Sequence, residues 1–200
     1  RRVENGQIVT RAALTASEQM EFEGVGTLEA FNTDGLRSIL HTMQHIPNMK
    51  EKTLRYPGHC EMIIALQRSG FFNRNSIVWK GIDISPLEYT SAILFKEWKL
   101  QPGEEEFTVM KIVVQGEQEG KRKTIEYSLL DYYDAQSQTT SMARSTGYTC
   151  TAAVHLIAQK LFTATGVFPP EKIGSNKVCF NHIIQYLKER KVNWEKKEYA

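Results

Sequence analysis

Two stretches of sequence decide the fold of this chain: residues 106–116, EFTVMKIVVQG, and residues 122–132, RKTIEYSLLDY. Apolar residues alternate with more polar ones in the first stretch, as in a half-buried strand. These apolar positions are Met110, Ile112 and Val114. The residues between Gly116 and Gly120 supply a turn. The pattern therefore predicts a long hairpin, and strands of this length predict a broad sheet with one covered face.

Apolar residues at helical spacing predict two helices in the C-terminal half of the chain. One is expected to run from about Ser145 to Phe162. The apolar positions of the other are Phe180, Ile183, Ile184 and Leu187. Both helices provide one apolar face that must be covered.

Capping residues mark two helix starts in the N-terminal half. Ser85 is a predicted N-cap, Pro86 occupies the first helical position, and Glu88 completes a capping box. An earlier helix is expected to begin at Thr33 or Asp34, whose side chains can accept hydrogen bonds from free backbone N–H groups.

Short strands precede and separate these helices. Residues 20–31 and 52–56 have strand patterns, and Asn5-Gly6 predicts the turn of a type I′ hairpin. Because strands and helices are interspersed, the predicted class is α+β, with a mixed, largely antiparallel sheet and helices packed on one face.

Composition and charge exclude several classes of protein. The chain is 41% hydrophobic and 24% charged, which is ordinary for a globular protein. The net charge of +2 is almost balanced, and the basic run at residues 121–123 is interpreted as a solvated turn. No apolar run reaches the roughly 18 residues of a membrane span. We therefore expect neither a nucleic acid nor a membrane as partner.

The cysteines indicate a reducing compartment. Cys60, Cys150 and Cys179 lie far apart and form no CxxC pair. An odd, sparse set of this kind argues against a disulfide framework, so we expect a cytoplasmic protein. The chain opens without Met or a signal peptide, and we expect it to be an excised piece of a longer protein.

Three motifs resemble functional sites but have simpler interpretations. Gly24-Val25-Gly26 lacks the third glycine of a dinucleotide fingerprint, because Glu29 stands in its place, and it is interpreted as a strand-edge kink. His41 and His45 are too few ligands for zinc. Cys60 follows His59 directly, and adjacent helical residues do not face each other. We predict no metal site and name no catalytic residue.

Two further stretches indicate an anion site. Arg55 lies in residues 53–59, TLRYPGH, where a strand ends and a helix begins, so that a guanidinium and free N–H groups meet. A surface salt bridge is the alternative. Residues 144–149, RSTGYT, are either a capping sequence or a second anion-binding helix start. Together these stretches predict a small acidic ligand held by Arg55 and one or two helix termini.

Four segments carry a resemblance to a known family. They are residues 31–36 (FNTDGL), 52–59 (KTLRYPGH), 145–149 (STGYT) and 166–171 (GVFPPE). Their sequence and order resemble the C-terminal domain of saccharopine dehydrogenase-like proteins, over about residues 20–195. The family includes glutamate-forming saccharopine dehydrogenase and lysine 6-dehydrogenase, which use NAD or NADP to oxidise or form a C–N bond at the lysine ε-position.

This resemblance implies a substrate-binding and dimerisation domain over residues 1–200, with the Rossmann domain and its cofactor-binding residues absent from this chain. The chain alone would be inactive. Saccharopine and lysine remain open as substrates, and NAD and NADP as cofactors. A homodimer is expected through residues 106–132. The alternative is a non-enzymatic module of the same fold that binds an amino acid or holds subunits together.

The resemblance also implies the residues of the substrate site. Arg55 would pair with a substrate carboxylate. The remaining candidates, which would line the cleft, are Tyr56, Asn32, Thr33, Asp34, Thr146, Gly147 and Tyr148.

Overall fold

The computed structural model of the protein describes residues 1–199, which form two compact units that divide between Lys99 and Leu100. Strands and helices are interspersed in both units, so the predicted α+β class is confirmed. Every strand pairing within the described range is antiparallel. The strands form two three-stranded sheets and two separate hairpins rather than one broad sheet.

The first unit consists of β1 (Arg2–Glu4), β2 (Gln7–Val9), β3 (Glu18–Phe22), β4 (Gly26–Asn32), α1 (Ile39–Thr42), β5 (Lys52–Arg55), α2 (His59–Arg68), β6 (Ile77–Trp79), β7 (Ile82–Ile84) and α3 (Pro86–Trp98). Its three-stranded sheet has the order β3-β4-β5, and β1–β2 and β6–β7 are hairpins. The β1–β2 turn has the predicted positive φ angles, 49° at Asn5 and 79° at Gly6.

The glycine pair that resembled a dinucleotide fingerprint is a hairpin turn. Residues 20–31 are not one strand, because the chain reverses between β3 and β4. Val25 N donates to Phe22 O at 3.1 Å, and Gly24 and Gly26 have φ angles of 78° and 90°. Glycine adopts such angles without steric cost, which explains both glycines. The interpretation of these glycines as a strand-edge kink was wrong, because they form the turn between two paired strands.

The first helix is shorter than predicted. It begins at Ile39 and not at Thr33 or Asp34. The side chains of these two residues do not cap a helix, because Thr33 Oγ1 donates to Glu51 at 2.6 Å and Asp34 accepts from Arg1 at 3.2 Å. Tertiary partners have replaced the local hydrogen bonds that a cap would make.

The start of α3 was predicted correctly. Pro86 is its first residue, and Ser85 Oγ accepts a hydrogen bond from Glu88 N at 3.4 Å. The apolar side chains of α3 are only partly covered, since Leu87 is half-buried but Trp98 is 51% exposed.

The second unit consists of β8 (Phe107–Gln118), β9 (Lys121–Tyr132), α4 (Ser141–Ala158), α5 (Pro170–Gly174), α6 (Lys177–Glu189) and β10 (Trp194–Tyr199). Its sheet has the order β10-β9-β8. The core residues are Met110, Leu129, Tyr148, Ile183, Leu187, Val192 and Trp194. They come from all three strands, from α4 and α6, and from the loop before β10. Both helices therefore pack on one face of this sheet.

The long hairpin is present as predicted, with a tighter turn. Glu119 and Gly120 form the turn with φ angles of 54° and 76°, as a type I′ turn requires. Residues 121–123 therefore begin β9, and their interpretation as a solvated turn was wrong.

A buried ion pair connects the elements of the second unit. Arg144 of α4 donates from Nε to Asp131 Oδ2 at 2.9 Å and from Nη2 to Asp131 Oδ1 at 3.3 Å. It also contacts Asp134 at 3.3 Å and the carbonyl oxygen of Arg190 at 3.2 Å. The side chains of Arg144 and Asp131 are only 7% and 6% exposed. One guanidinium thus joins α4 to β9 and to the end of α6.

No helix within residues 1–199 has the length and apolar character needed to cross a membrane.

Replacing Arg144 by alanine should lower the free energy of unfolding by about 3–5 kcal/mol, because Asp131 would stay buried without its partner. Urea denaturation followed by circular dichroism measures this change. Arg122→Ala is the matched control, since Arg122 lies exposed on β9 and forms no ion pair with any residue in the described range. A loss below about 1 kcal/mol, the size of a surface ion pair, would contradict this role.

Candidate functional site

Arg55 lies at the end of β5, on a face of the first sheet that carries several polar side chains. The β4–β5 register places Arg55 opposite Glu29 and Thr53 opposite Phe31. Side chains alternate between the two faces of a strand, so these four residues project to the same face. Thr33 follows the same alternation, and its hydroxyl lies 2.9 Å from the Thr53 hydroxyl.

Helix α2 begins on this face. Gly58 turns the chain with a φ angle of 93°, and His59 is the first helical residue. The His59 ring stacks on Phe31, with ring centroids 6.0 Å apart and planes inclined by 15°. The predicted segment of residues 53–59 therefore brings an arginine, an imidazole and a helix N-terminus to one face of the sheet.

The N-terminus of α2 already has an anionic partner within the protein. Glu29 is only 8% exposed, and its carboxylate accepts hydrogen bonds from Cys60 N at 3.2 Å and from Ser17 Oγ at 2.7 Å. The hydroxyl of Ser17 and the N–H of Cys60 hold the pKa of Glu29 below its usual value. A ligand anion at this N–H is therefore not supported, because Glu29 occupies it.

Arg55 keeps its charge available to a ligand. Its side chain is exposed and donates one hydrogen bond, from Nη1 to the carbonyl oxygen of Leu54 at 2.7 Å. It forms no ion pair with any carboxylate of residues 1–199, although Glu29 lies opposite on β4. Burial, and then the charge of Arg55, lower the pKa of His59. His59 therefore favours the neutral form. Of these two basic side chains, Arg55 is the one that carries a positive charge on this face.

Tyr56 follows Arg55 directly and precedes the turn at Pro57. Its side chain is 64% exposed. Arg55 and Tyr56 are thus adjacent and accessible, as a residue pair that binds a ligand at the end of β5 must be.

The other candidates of the first unit lie at the opposite end of the β4–β5 ladder. Asn32 pairs with Lys52, three residues along β4 from Glu29, which corresponds to roughly 10 Å. Asn32 is only 5% exposed and projects to the other face, where its Nδ2 donates to Thr15 Oγ1 at 3.1 Å. The structure does not bring Asn32 next to Arg55.

Thr33 and Asp34 also make internal contacts. Glu51 accepts from Thr33 Oγ1 and from Gly35 N at 2.9 Å, which closes this loop around one carboxylate. The guanidinium of Arg1 is the main reason why the pKa of Asp34 lies below its usual value. A substrate that reaches both Arg55 and this loop must extend along the strands.

The three candidates of the second unit lie inside α4 and not at its start. The helix begins at Ser141, four residues before the predicted start, because Thr140 is the N-cap and accepts from Ala143 N. Thr146, Gly147 and Tyr148 therefore occupy its second turn. Residues 144–149 are therefore neither the capping sequence nor the second anion-binding helix start, the two alternatives that the sequence left open.

Glu106 occupies the actual start of α4. Its carboxylate accepts from Ser141 N and, at 2.6 Å, from Ser141 Oγ. The hydroxyl of Thr108 lies 2.6 Å from the same Ser141 oxygen. This helix start is filled in the same way as that of α2.

Tyr148 is a core residue of the second unit. Its ring packs against the apolar cluster and lies 6.0 Å from the guanidinium carbons of both Arg144 and Arg190. Thr146 is exposed, and its hydroxyl contacts Met142 Sδ at 3.7 Å. These contacts give Tyr148 and Thr146 structural roles in this unit.

Sequence reasoning missed the two internal carboxylates. Glu29 is flanked by the apolar residues Leu28, Ala30 and Phe31, and a charged residue within such a strand is a recognisable sign of a buried partner. Glu106 carried no comparable sign, because it follows two other glutamates in a polar loop.

Within residues 1–199, no three His, Cys, Asp or Glu side chains are grouped closely enough to hold a metal ion. Two imidazoles do meet, where His155 Nδ1 lies 3.0 Å from His182 Nε2 between α4 and α6.

Replacing Glu29 by glutamine should remove part of the pH dependence of stability. A carboxyl group whose pKa is lower in the folded protein stabilises the fold at pH values above the group's pKa in the unfolded chain, which is about 4.3. This contribution disappears as the pH falls through the pKa in the folded protein. Urea denaturation at pH 7 and at pH 3 should show a smaller acid loss in Glu29→Gln than in the wild type. Glu23→Gln, at an exposed turn position, is the control. An unchanged acid loss would refute the role of Glu29.

Comparison with known protein families assigns this chain to one of them. Residues 1–192 match the saccharopine dehydrogenase C-terminal domain. The match spans both units and includes Arg55, Glu29 and the β8–β9 hairpin. The chain therefore belongs to the saccharopine dehydrogenase C-terminal domain family and is an oxidoreductase-related domain.

Proposed function

We propose that this chain is the substrate-binding domain of an NAD- or NADP-dependent oxidoreductase that acts on the C–N bond of saccharopine or lysine. The observation that carries this proposal is the exposed Arg55 guanidinium, which has no carboxylate partner among residues 1–199 and lies beside the accessible Tyr56. Both substrates carry an α-carboxylate that a guanidinium fork can bind with two parallel hydrogen bonds.

The contacts around Arg55 support this role. Glu29 would neutralise Arg55 if it turned toward β5, but Ser17 and Cys60 hold its carboxylate at the start of α2. His59 favours its neutral form and does not compete for the same anion. Four of the five guanidinium N–H groups of Arg55 remain for a ligand, because one is used by Leu54.

Two features of the described residues support binding of the dinucleotide cofactor by another domain. The only GxG sequence that resembled its fingerprint is the β3–β4 turn, with no helix after it. The starts of α2 and α4, where a pyrophosphate would be bound, are filled by Glu29 and Glu106. In this proposal NAD or NADP is bound by another domain, and this chain binds and orients the substrate.

Arg55→Ala should raise KM for the amino-acid substrate about 10- to 150-fold in the intact enzyme, which corresponds to the 1.5–3 kcal/mol of a hydrogen bond to a charged group. The melting temperature should change little, since Arg55 is exposed and makes a single internal hydrogen bond. The KM of Arg55→Lys should lie between those of the wild type and of Arg55→Ala, because lysine keeps the positive charge but cannot form the two parallel hydrogen bonds of a guanidinium.

The control is Arg74→Ala, an exposed arginine of the same unit with no ion pair in the described part of the chain. An equal loss of activity and of melting temperature in Arg55→Ala would mean that Arg55 only supports the fold. Calorimetric titration of this chain with saccharopine and with lysine gives a second readout that does not depend on turnover.

Nicotinamide reduction by the intact protein, with saccharopine and lysine offered separately, tests the reaction itself. We expect turnover with one of them, which names the substrate. If folded protein turns over neither substrate with NAD or NADP, and calorimetry still shows binding, the domain is a non-enzymatic amino-acid-binding module.

A further inference from the structure

His59 is an imidazole on the Arg55 face to which substrate binding by Arg55 gives no role. Its ring is half-buried and stacks on Phe31, with ring centroids 6.0 Å apart. Its backbone N–H donates to the carbonyl oxygen of Tyr56 at 3.3 Å, but its ring nitrogens make no hydrogen bond with any residue in the range 1–199. An imidazole that is fixed by packing and has open ring nitrogens can exchange a proton with a bound ligand.

The surroundings of His59 favour the form of the ring that accepts a proton. Burial is the main reason why the pKa of His59 lies below its usual value, and the positive charge of Arg55 is the second reason. The carboxylate of Glu29 acts in the opposite direction and more weakly, while it accepts the N–H of Cys60. The ring is therefore uncharged at neutral pH, and one of its nitrogens carries a lone pair.

The other titratable side chains of this face are poorly placed to accept a proton from a ligand. Both carboxylates, Glu29 and Glu51, already accept hydrogen bonds from within the protein. The thiol of Cys60 belongs to a residue that is only 3% exposed, and burial raises its pKa. Arg55 is a cation with no acceptor atom. His59 is thus the accessible base of this face.

The ring of His59 lies along β5 from Arg55 at a distance that suits a lysine side chain. Phe31, on which the ring stacks, lies opposite Thr53. Thr53 and Arg55 are two residues apart on one face of the strand, which corresponds to roughly 7 Å. Six bonds separate the α-carboxylate carbon of lysine from its ε-nitrogen, and an extended chain of six bonds also spans roughly 7 Å. A substrate held by Arg55 and extended towards Thr53 brings its reacting nitrogen beside Phe31 and the ring stacked on it.

Oxidation of an amine at this place needs a proton acceptor. An alkylamine such as the ε-amine of lysine has a pKa of about 10.4, so it is an ammonium ion at neutral pH and its nitrogen has no lone pair. Transfer of one N–H proton to a ring nitrogen of His59 leaves a neutral amine and an imidazolium. The lone pair of the amine then forms the C=N bond as the hydride of the adjacent carbon passes to NAD or NADP, which is the oxidant. The imidazolium afterwards releases its proton to water.

We propose that His59 is the general base of this reaction, which removes the proton from the reacting amine of a substrate whose carboxylate is bound by Arg55. In the reverse direction the imidazolium returns the proton to the same nitrogen. The inference rests on the proposed function, because the contact between Arg55 and the carboxylate places the amine. It gives this chain a catalytic residue in addition to a residue that binds substrate.

The dependence of kcat/KM on pH in the intact enzyme tests this role. His59→Gln should lower kcat about 100-fold or more, the usual contribution of a general base, with little change in KM because Arg55 still binds the carboxylate. In the wild type, kcat/KM should fall as the pH drops below about 6.5, since only the neutral ring accepts a proton and its pKa lies below that usual value. This fall should be absent in His59→Gln.

The control is His45→Gln, which makes the same substitution at an exposed histidine of the same unit and should leave kcat and the pH dependence unchanged. Circular dichroism checks that both variants are folded. A residue that only supports the fold would lower the melting temperature and would leave the acid fall of kcat/KM in place.

NMR of the unmutated 200-residue chain gives a readout that needs neither turnover nor a variant of His59. Lysine and saccharopine are added separately, and the ring signals of His59 should shift with the one that binds in calorimetry. The ring signals of His45 should stay in place. Arg55→Ala should weaken binding and abolish the shift, because the carboxylate contact places the amine beside the ring.

A lower kcat without the acid fall in His59→Gln, together with the shift of the His59 signals, supports the proposal. A normal kcat in folded His59→Gln overturns it, as does an acid fall that persists in this variant or a bound substrate that leaves the His59 signals unshifted. In these cases the effect of Arg55→Ala on KM still stands, and the proposed function with it. Absence of both turnover and binding overturns the proposed function and this inference together.

Discussion

The carboxylate of Glu29 at the start of α2 is the interaction on which the candidate site depends. It accepts the N–H of Cys60 and the hydroxyl of Ser17, and this fixes the helix against β4. The same contacts keep Glu29 away from Arg55, its neighbour across the sheet. That Arg55 is an exposed cation with no ion pair among residues 1–199 is therefore a consequence of where one buried carboxylate is held.

In the second unit a carboxylate also occupies a helix start, but the nearby arginine is buried in an ion pair. Glu106 fills the start of α4 through Ser141, and the first turn of that helix ends at Arg144, which is paired with Asp131. Because both charges are buried, the pair specifies how α4 lies on β9. The hydroxyls of Ser145 and Thr149 then donate to carbonyl oxygens of their own helix, and Tyr148 becomes part of the packing.

Much of the local structure was predictable because it depends on neighbouring residues. The Asn5-Gly6 turn, the Ser85 cap of α3 and the β8–β9 hairpin follow from conformational preference and periodicity alone. Errors arose where a distant residue replaced a local partner. Thr33 contacts Glu51 and leaves α1 without its predicted start, and β10 was missed because its charged sequence resembles a solvated segment.

The sequence by itself determined the α+β class, the family and the choice of Arg55 as a candidate ligand-binding residue, since these rest on periodicity, turn chemistry and a motif. Tertiary structure decided whether each polar group is available. It places Asn32 on the opposite face from Arg55, and it fills the start of α2 with Glu29 and the start of α4, at Ser141, with Glu106. The physical reason is that a hydrogen bond between residues far apart in the chain leaves no periodic trace in the sequence, yet it determines which charges remain free to bind.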